Sequence, residues 1–335
     1  MKKIISLSAA VCMLAVAMFG LVGCTQPTDA YDFTVGVIAG SHIDAFSLGR
    51  QGFETRLTEL MTNAGYTVQF LYENAGGQPA LGSTIASNFA ARQVDMLFSM
   101  GTGVSQAALP IATAAEIPLV YGIITDPVGA NLVTDASTGS SSALPMDTQI
   151  SLLEELLGAP LSADNRVAFL YTMDEANSVA SLARLRAAAP ENTIVDFGIP
   201  RYELGQLTQQ FINIVADPTI RAIYVPQDNQ LVEPPAVQMI QNLNRMQSPE
   251  HRLPIVAADL PLVELGTLAS FSVDFADNGA AAADIAFDIL VNGVWPDTFF
   301  VHTAETLRLY VNLSEAEAIG FDLPAELVAR ADQTF

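Results

Sequence analysis

Lysine is almost missing from this 335-residue chain: Lys2 and Lys3 are the only two, and the other 12 of its 14 basic residues are arginine. Schiff-base chemistry, a P-loop lysine and a lysine general base therefore have no residue to use beyond the extreme N-terminus. Against 14 basic residues stand 36 acidic ones, a formal net charge of −22. That excess opposes binding to nucleic acid, which needs clustered basic side chains, and disfavours anionic membrane surfaces. Cysteine is equally scarce. Cys12 lies inside the apolar stretch Ile4–Gly23 and Cys24 follows it, so the mature chain has no pair for a disulfide, an iron–sulfur cluster or a thiolate zinc site. The three histidines, His42, His251 and His302, share no ligand spacing, and neither a metal nor another cofactor is expected. The nucleophile elbow of serine hydrolases is missing as well, because Gly101-Thr102-Gly103-Val104-Ser105 has the wrong register, and Gln106 stands where a dinucleotide fingerprint needs its third glycine.

What is present begins with a leader. Two lysines, 20 apolar residues and the run Leu21-Val22-Gly23-Cys24 read as a signal peptide over 1–23 ending in a lipobox. Cys24 is then the expected lipidated residue, 24–32 a tether, and the rest a domain held outside the cytoplasmic membrane. The alternative is an uncleaved membrane anchor. With 50% apolar and 15% charged residues the remainder must bury large cores, and its length suits two domains.

From Phe33 onward, apolar runs alternate with helical periodicity. Phe33–Ala39 reads as a strand buried on both faces; Phe46, Phe53, Leu57, Leu60 and Ala64 form a helix stripe closed by Gly65. Strands at 67–72, 94–100 and 118–124 follow, with helices between them, and a second series repeats the order from 148 to 257. Such alternation predicts an α/β fold of two doubly wound parallel-sheet domains. Residues after Gly266 are too few for a third domain. The chain must therefore cross back, giving three hinge crossings near Thr134–Gly139, Leu265–Ala269 and Gly293–Thr298. The expected lobes are 33–135 with 268–293, and 139–266 with 297–335.

In doubly wound sheets solutes sit beyond the C-terminal ends of the strands. Here those ends carry Ser41, His42, Thr102, Ser105, Thr125, Asp126, Asn177, Asp228, Asn229 and Asp259. Each, taken singly, is also an ordinary helix-cap or turn residue. Together they offer helix-start amides and hydroxyls (Thr102, Ser105) for a carboxylate, and carboxylates (Asp228, Asp259) for a cation. Phe46 and Tyr171 lie near these loops as candidate aromatic walls.

The segments Asp126-Pro127-Val128-Gly129-Ala130, Asn177-Ser178, Tyr224-Val225-Pro226-Gln227-Asp228-Asn229, Ala258-Asp259 and Gly266-Thr267-Leu268-Ala269-Ser270 resemble the ABC-transporter substrate-binding lipoproteins of the tryptophan/tyrosine-binding type. The resemblance runs over nearly the whole mature chain. It implies a Venus-flytrap binder of the type I periplasmic-binding-protein class, a monomer without enzymatic activity. Such a protein delivers a small molecule, here an aromatic amino acid, to an ABC permease. Gln227 replaces the family's usual Thr before Asp-Asn. Other readings of the residues are a sugar or nucleoside binder, and a secreted hydrolase using Asp126 and Asp228 as acid and base.

Overall fold

A computed structural model describes residues 31–299, 301–303 and 307–335. The proposed signal peptide, Cys12, Cys24 and most of the tether lie outside them. Among the described residues no helix is long and apolar enough to cross a membrane, and no group of His, Cys, Asp and Glu is placed to hold a metal.

The unit from Phe33 to Phe335 holds two sheets. In the first, β1 (Phe33–Ala39), β2 (Val68–Asn74), β3 (Met96–Met100), β4 (Leu119–Ile124) and β5 (Ser137–Ser141) join a short β11 (His302–Thr303), in the order β11-β5-β4-β3-β1-β2. All its pairs are parallel. The helices that cover it are α1 (Asp44–Ala64), α2 (Leu81–Ala91), α3 (Thr102–Ala114) and, arriving from far along the chain, α9 (Phe275–Asn292). Apolar runs such as Met96–Met100, buried at every position, form these strands because both faces are covered. The buried stripe of α1 is Phe46, Phe53, Leu57 and Met61. Leu60 and Ala64 do not belong to it, Ala64 being exposed. Phe53 stacks on Phe98 at 3.8 Å. α9 crosses α1 so closely that a Cβ on Gly279 would lie 1.9 Å from the Gly49 carbonyl oxygen, so only glycine fits there.

In the second sheet are β6 (Arg166–Thr172), β7 (Ile194–Ile199), β8 (Ile220–Val225), β9 (Ile255–Ala257), β10 (Ala269–Val273), β12 (Leu307–Val311) and β13 (Gln333–Thr334), in the order β13-β12-β10-β9-β8-β6-β7. The β10–β12 pair is antiparallel. Helices α4 (Met146–Leu157), α5 (Ala176–Ala188), α6 (Leu207–Ala216) and α7 (Pro234–Arg245) flank it, with a short α8 (Leu260–Glu264) after β9. The chain closes with α10 (Leu313–Ile319) and α11 (Ala325–Ala329).

Three crossings connect the sheets, each several residues beyond the expected place. β5 belongs to the first sheet, so the first crossing follows Ser142 rather than Thr134–Gly139. β10 pairs with β9 and β12, which moves 269–273 from the expected first lobe into the second and puts the return at Asp274. β11 pairs with β5 and β12 with β10, so the last crossing follows Thr303. Polarity caused the difference at β5. Its sequence Ser-Thr-Gly-Ser-Ser has no apolar period, yet it is fully buried, because Asn278 of α9 accepts from Ser140 Oγ at 2.9 Å and donates to the Ser141 carbonyl at 2.9 Å.

Candidate functional site

The C-terminal strand ends of both sheets face each other across one cleft. Its central cavity, about 340 Å³ of space between atoms and partly open to solvent, is lined by Phe46, Thr102, Ile123, Thr125, Ser142 and Phe275 from one side and by Asn177, Gln227, Asp228, Asn229, Val232 and Asp259 from the other. Gly101, which starts α3, has φ +100°, and a Cβ there would lie 2.8 Å from the Phe46 ring. The glycine thus lets α3 begin against the aromatic wall. Ile123 stands at a bulge in β4 with φ +56°, a strained conformation for a β-branched residue. Asn278 Oδ1 holds its N–H at 2.9 Å.

The lobes touch directly. Gln227 Oε1 accepts from Thr125 Oγ1 at 3.0 Å and from Ser142 Oγ at 3.3 Å. Tyr202 Oη donates to the Gly77 carbonyl at 2.8 Å, and Arg184 reaches the carbonyl of Thr125 at 3.5 Å. Arg201 pairs with Glu175 at 3.2 Å beside a recess lined by Ser41, Gly77, Gly103 and Asn229. Glu175 is itself buried. Burial foremost, then the Asp228 charge, pushes its carboxyl up to about 8 against the pull of Arg201.

Two aspartates that look alike in sequence differ here. Asp228, 1% exposed, accepts five hydrogen bonds: from Thr172 N and Oγ1, Ser178 Oγ, Gln230 N and Leu231 N, at 2.6 to 3.0 Å. A carboxylate offers about four lone-pair positions, so none is left for a solute, and Asp228 locks the loop after β8 instead. Asp259, 4% exposed, occupies the cap position of α8 without making a cap bond, and its Oδ1 has no partner. Burial pushes its carboxyl up to about 7, opposed by the Gln227 amide.

Of the other expected residues, Thr102, Thr125, Asn177 and Asn229 reach the central cavity. Asn177 Nδ2 donates to the Gln227 carbonyl, and the Asn229 N–H to Glu175 Oε2 at 2.9 Å. Ser105 does not reach it. Its hydroxyl is buried against Ser99 Oγ and the Gly101 carbonyl, each at 2.8 Å, where it fixes the start of α3. Ser41 lines the recess with its Oγ unpartnered. His42 is exposed at a neighbouring outer cavity that it shares with Asp259. Asp126 accepts from the Gly129 N–H at 2.9 Å and faces a different cavity, beside α5. The hydrolytic pair Asp126–Asp228 is therefore not assembled, since one faces elsewhere and the other is saturated. Tyr171 packs on Phe169 within the hydrophobic core. Phe275, Arg184, Arg201 and Tyr202 escaped the sequence reading, which noted Gln227 beside Asp228 but gave it no role. Phe275 alone carried a signal, as the apolar residue just inside a helix that Asp274 caps through the N–H groups of Ala276 and Asp277.

Two parallel-sheet lobes joined by three crossings around a polar-lined cleft define a type I periplasmic-binding-protein fold. Residues 34–335 match the family described as ABC transporter substrate binding protein, and the chain belongs to that family, whose members work outside the cytoplasm. It is 26% identical over 310 residues, 86% of this chain and 84% of the relative, to a tyrosine-binding protein of Clostridioides difficile (strain R20291). Among solved structures, it superposes at TM-score 0.76 and 23% identity on a Streptococcus pneumonia ABC domain in complex with L-Trp, covering 90% of this chain and 99% of that one. A ligand-free, open substrate-binding protein with adhesive properties from Clostridium difficile gives TM-score 0.66 at 23% identity, with the same coverage.

Proposed function

We propose that this protein captures an aromatic L-amino acid between its lobes and hands it to an ABC permease, tethered to the membrane through lipidated Cys24 and acting as a monomer. The observation that carries the reading is the composition of the central cavity. Phe46 and Phe275 supply apolar faces for a ring, while Thr102, Thr125 and Asn177 surround it with polar groups. The tyrosine-binding relative and the L-Trp complex support the choice among solutes.

The test is calorimetry of the full chain against tyrosine, tryptophan and phenylalanine, with leucine, glucose and adenosine as contrasts. Binding confined to the aromatic amino acids is the expected result. A ligand selective for the native state also raises stability, by about 2.7 kcal/mol at a hundredfold excess over Kd, so thermal shifts provide a second readout. Binding of the sugar or the nucleoside instead would overturn the reading. Mass spectrometry of the membrane fraction decides the anchor separately: a diacylated Cys24 as first residue is expected, and an unmodified Cys24 defeats it.

A further inference from the structure

We propose that Asp259 is the receptor for a primary ammonium group of the bound solute, and that Asp228, the other carboxylate of the cleft, is a structural residue. This rests on the interlobe cavity being the ligand site and narrows the solute to a cation joined to an apolar body. A neutral polyol or sugar is then excluded.

Three observations converge on Asp259. It is a buried carboxylate whose Oδ1 lacks a hydrogen-bond partner, and among the described residues no arginine or histidine forms an ion pair with it. A charge held in that state is costly, and its burial already pushes the carboxyl up to about 7. Second, it stands at the cap position of α8 yet leaves the helix amides alone, so helix capping does not account for it. Third, it is where the central cavity meets the outer one, about 430 Å³ of space lined by His42, Ile43, Val232, Pro261 and Leu265. A solute in either cavity thus meets the same carboxyl side chain. The neighbouring Gln227 amide is uncharged, and its Nε2, a donor near Asp259, is likewise without a hydrogen-bond partner. The Asp259 carboxylate therefore lacks a cation, and an ammonium brings both the charge and the N–H groups it needs. Asp228 offers no such opening, with five protein donors on its two oxygens.

The experiment is a cycle between protein and ligand, read by calorimetry on the full chain. The proteins are wild type, Asp259→Asn and Asp228→Asn; the ligands are L-tyrosine and L-tryptophan and their desamino acids, 3-(4-hydroxyphenyl)propionate and indole-3-propionate. Removing the ammonium or the Asp259 charge deletes the same interaction, so each alone should cost more than about tenfold in affinity and the two together little more than one. Asp259→Asn should also raise the melting temperature of the ligand-free protein, which separates loss of a binding charge from misfolding. Asp228→Asn should lower it. Equal losses for amino and desamino ligands in Asp259→Asn, or strictly additive losses, overturn the proposal. If wild type binds no aromatic amino acid, the reading of the ligand fails. A thermal-shift panel of other amino acids, polyamines and neutral solutes then decides the site: a primary-amine hit abolished by Asp259→Asn sustains it, and hits among neutral solutes alone overturn it.

Discussion

Gln227 and Thr125 are hydrogen-bonded across the cleft, Thr125 Oγ1 donating to Gln227 Oε1 at 3.0 Å. One residue follows β8 of the second sheet and the other follows β4 of the first, so the bond exists only while the lobes face each other at this separation. Ser142 adds a second donor to the same oxygen at 3.3 Å. The closed arrangement is thus held partly by the protein itself. A solute that binds it need not supply all of the closure energy.

Gln227→Ala removes both contacts, and a net hydrogen bond is worth about 0.5–1.5 kcal/mol. The ligand-free variant should populate an open form, seen as a larger radius of gyration in small-angle scattering. Its affinity for the ligand should fall by up to roughly tenfold. Unchanged scattering and unchanged affinity would show that the bridge does not govern closure.

Gly101→Ala tests the wall of the cavity. The substitution puts a methyl 2.8 Å from the Phe46 ring at a φ of +100°, so it combines backbone strain with a displaced aromatic side chain, a cost of about 1–3 kcal/mol. Denaturant unfolding should register that loss, and calorimetry a weakened ligand. A variant as stable as wild type would mean that Phe46 moves aside freely.

Asp228→Ala should be the most damaging single change in the cleft. It leaves five donors without their acceptor, and even two unpaired buried groups cost about 2–6 kcal/mol. The expected result is a large fall in the urea midpoint together with loss of binding for charged and neutral analogues alike. A stable variant that has lost only amino-acid binding would return the ammonium role to Asp228.

The fold was largely legible because burial on both faces makes a parallel strand a continuous apolar run, as in Val35–Ala39 and Val167–Leu170, all buried. The crossings were not, because the strand Ser137–Ser141 owes its place to Asn278, some 137 residues further along, and hydrogen bonding at that distance leaves no local pattern. The site was legible by position but not by role. Asp228 and Asp259 each follow an apolar strand, and what separates them is their partners: Thr172 and Ser178 come from another strand and helix, and Asp259 Oδ1 has no partner at all. Arg201 and Tyr202 reach the cleft from the loop after β7, whose sequence shows no periodic cue.

The pH dependence follows from Asp259 and Glu175, whose carboxyls burial pushes up to about 7 and about 8. Both pKa values lie above those of the unfolded chain, near 4, so between about pH 4 and 8 the folded protein binds protons that the unfolded chain has released. Stability then falls as pH rises through that window and is unaffected by these groups below it. Self-repulsion of a chain carrying −22 formal charges acts in the same direction, so the informative quantity is the difference between proteins. The melting temperature of wild type, ligand-free, should drop more steeply from about pH 5 to 8.5 than that of Asp259→Asn or Glu175→Gln. Ligand affinity should move the opposite way and rise with pH, because an ammonium needs Asp259 ionised; binding near pH 7 should release a proton, detected as a binding enthalpy that varies with the ionisation enthalpy of the buffer. The groups facing Asp259 are Gln227, Asp228 on the same wall of the central cavity, His42 and Asp44 at the outer one, and the Tyr224 phenol, whose pKa is raised chiefly by burial and further by the Asp259 charge. His42→Gln therefore serves as the control: it should leave both slopes intact, and if it abolishes them the titrating group is the histidine.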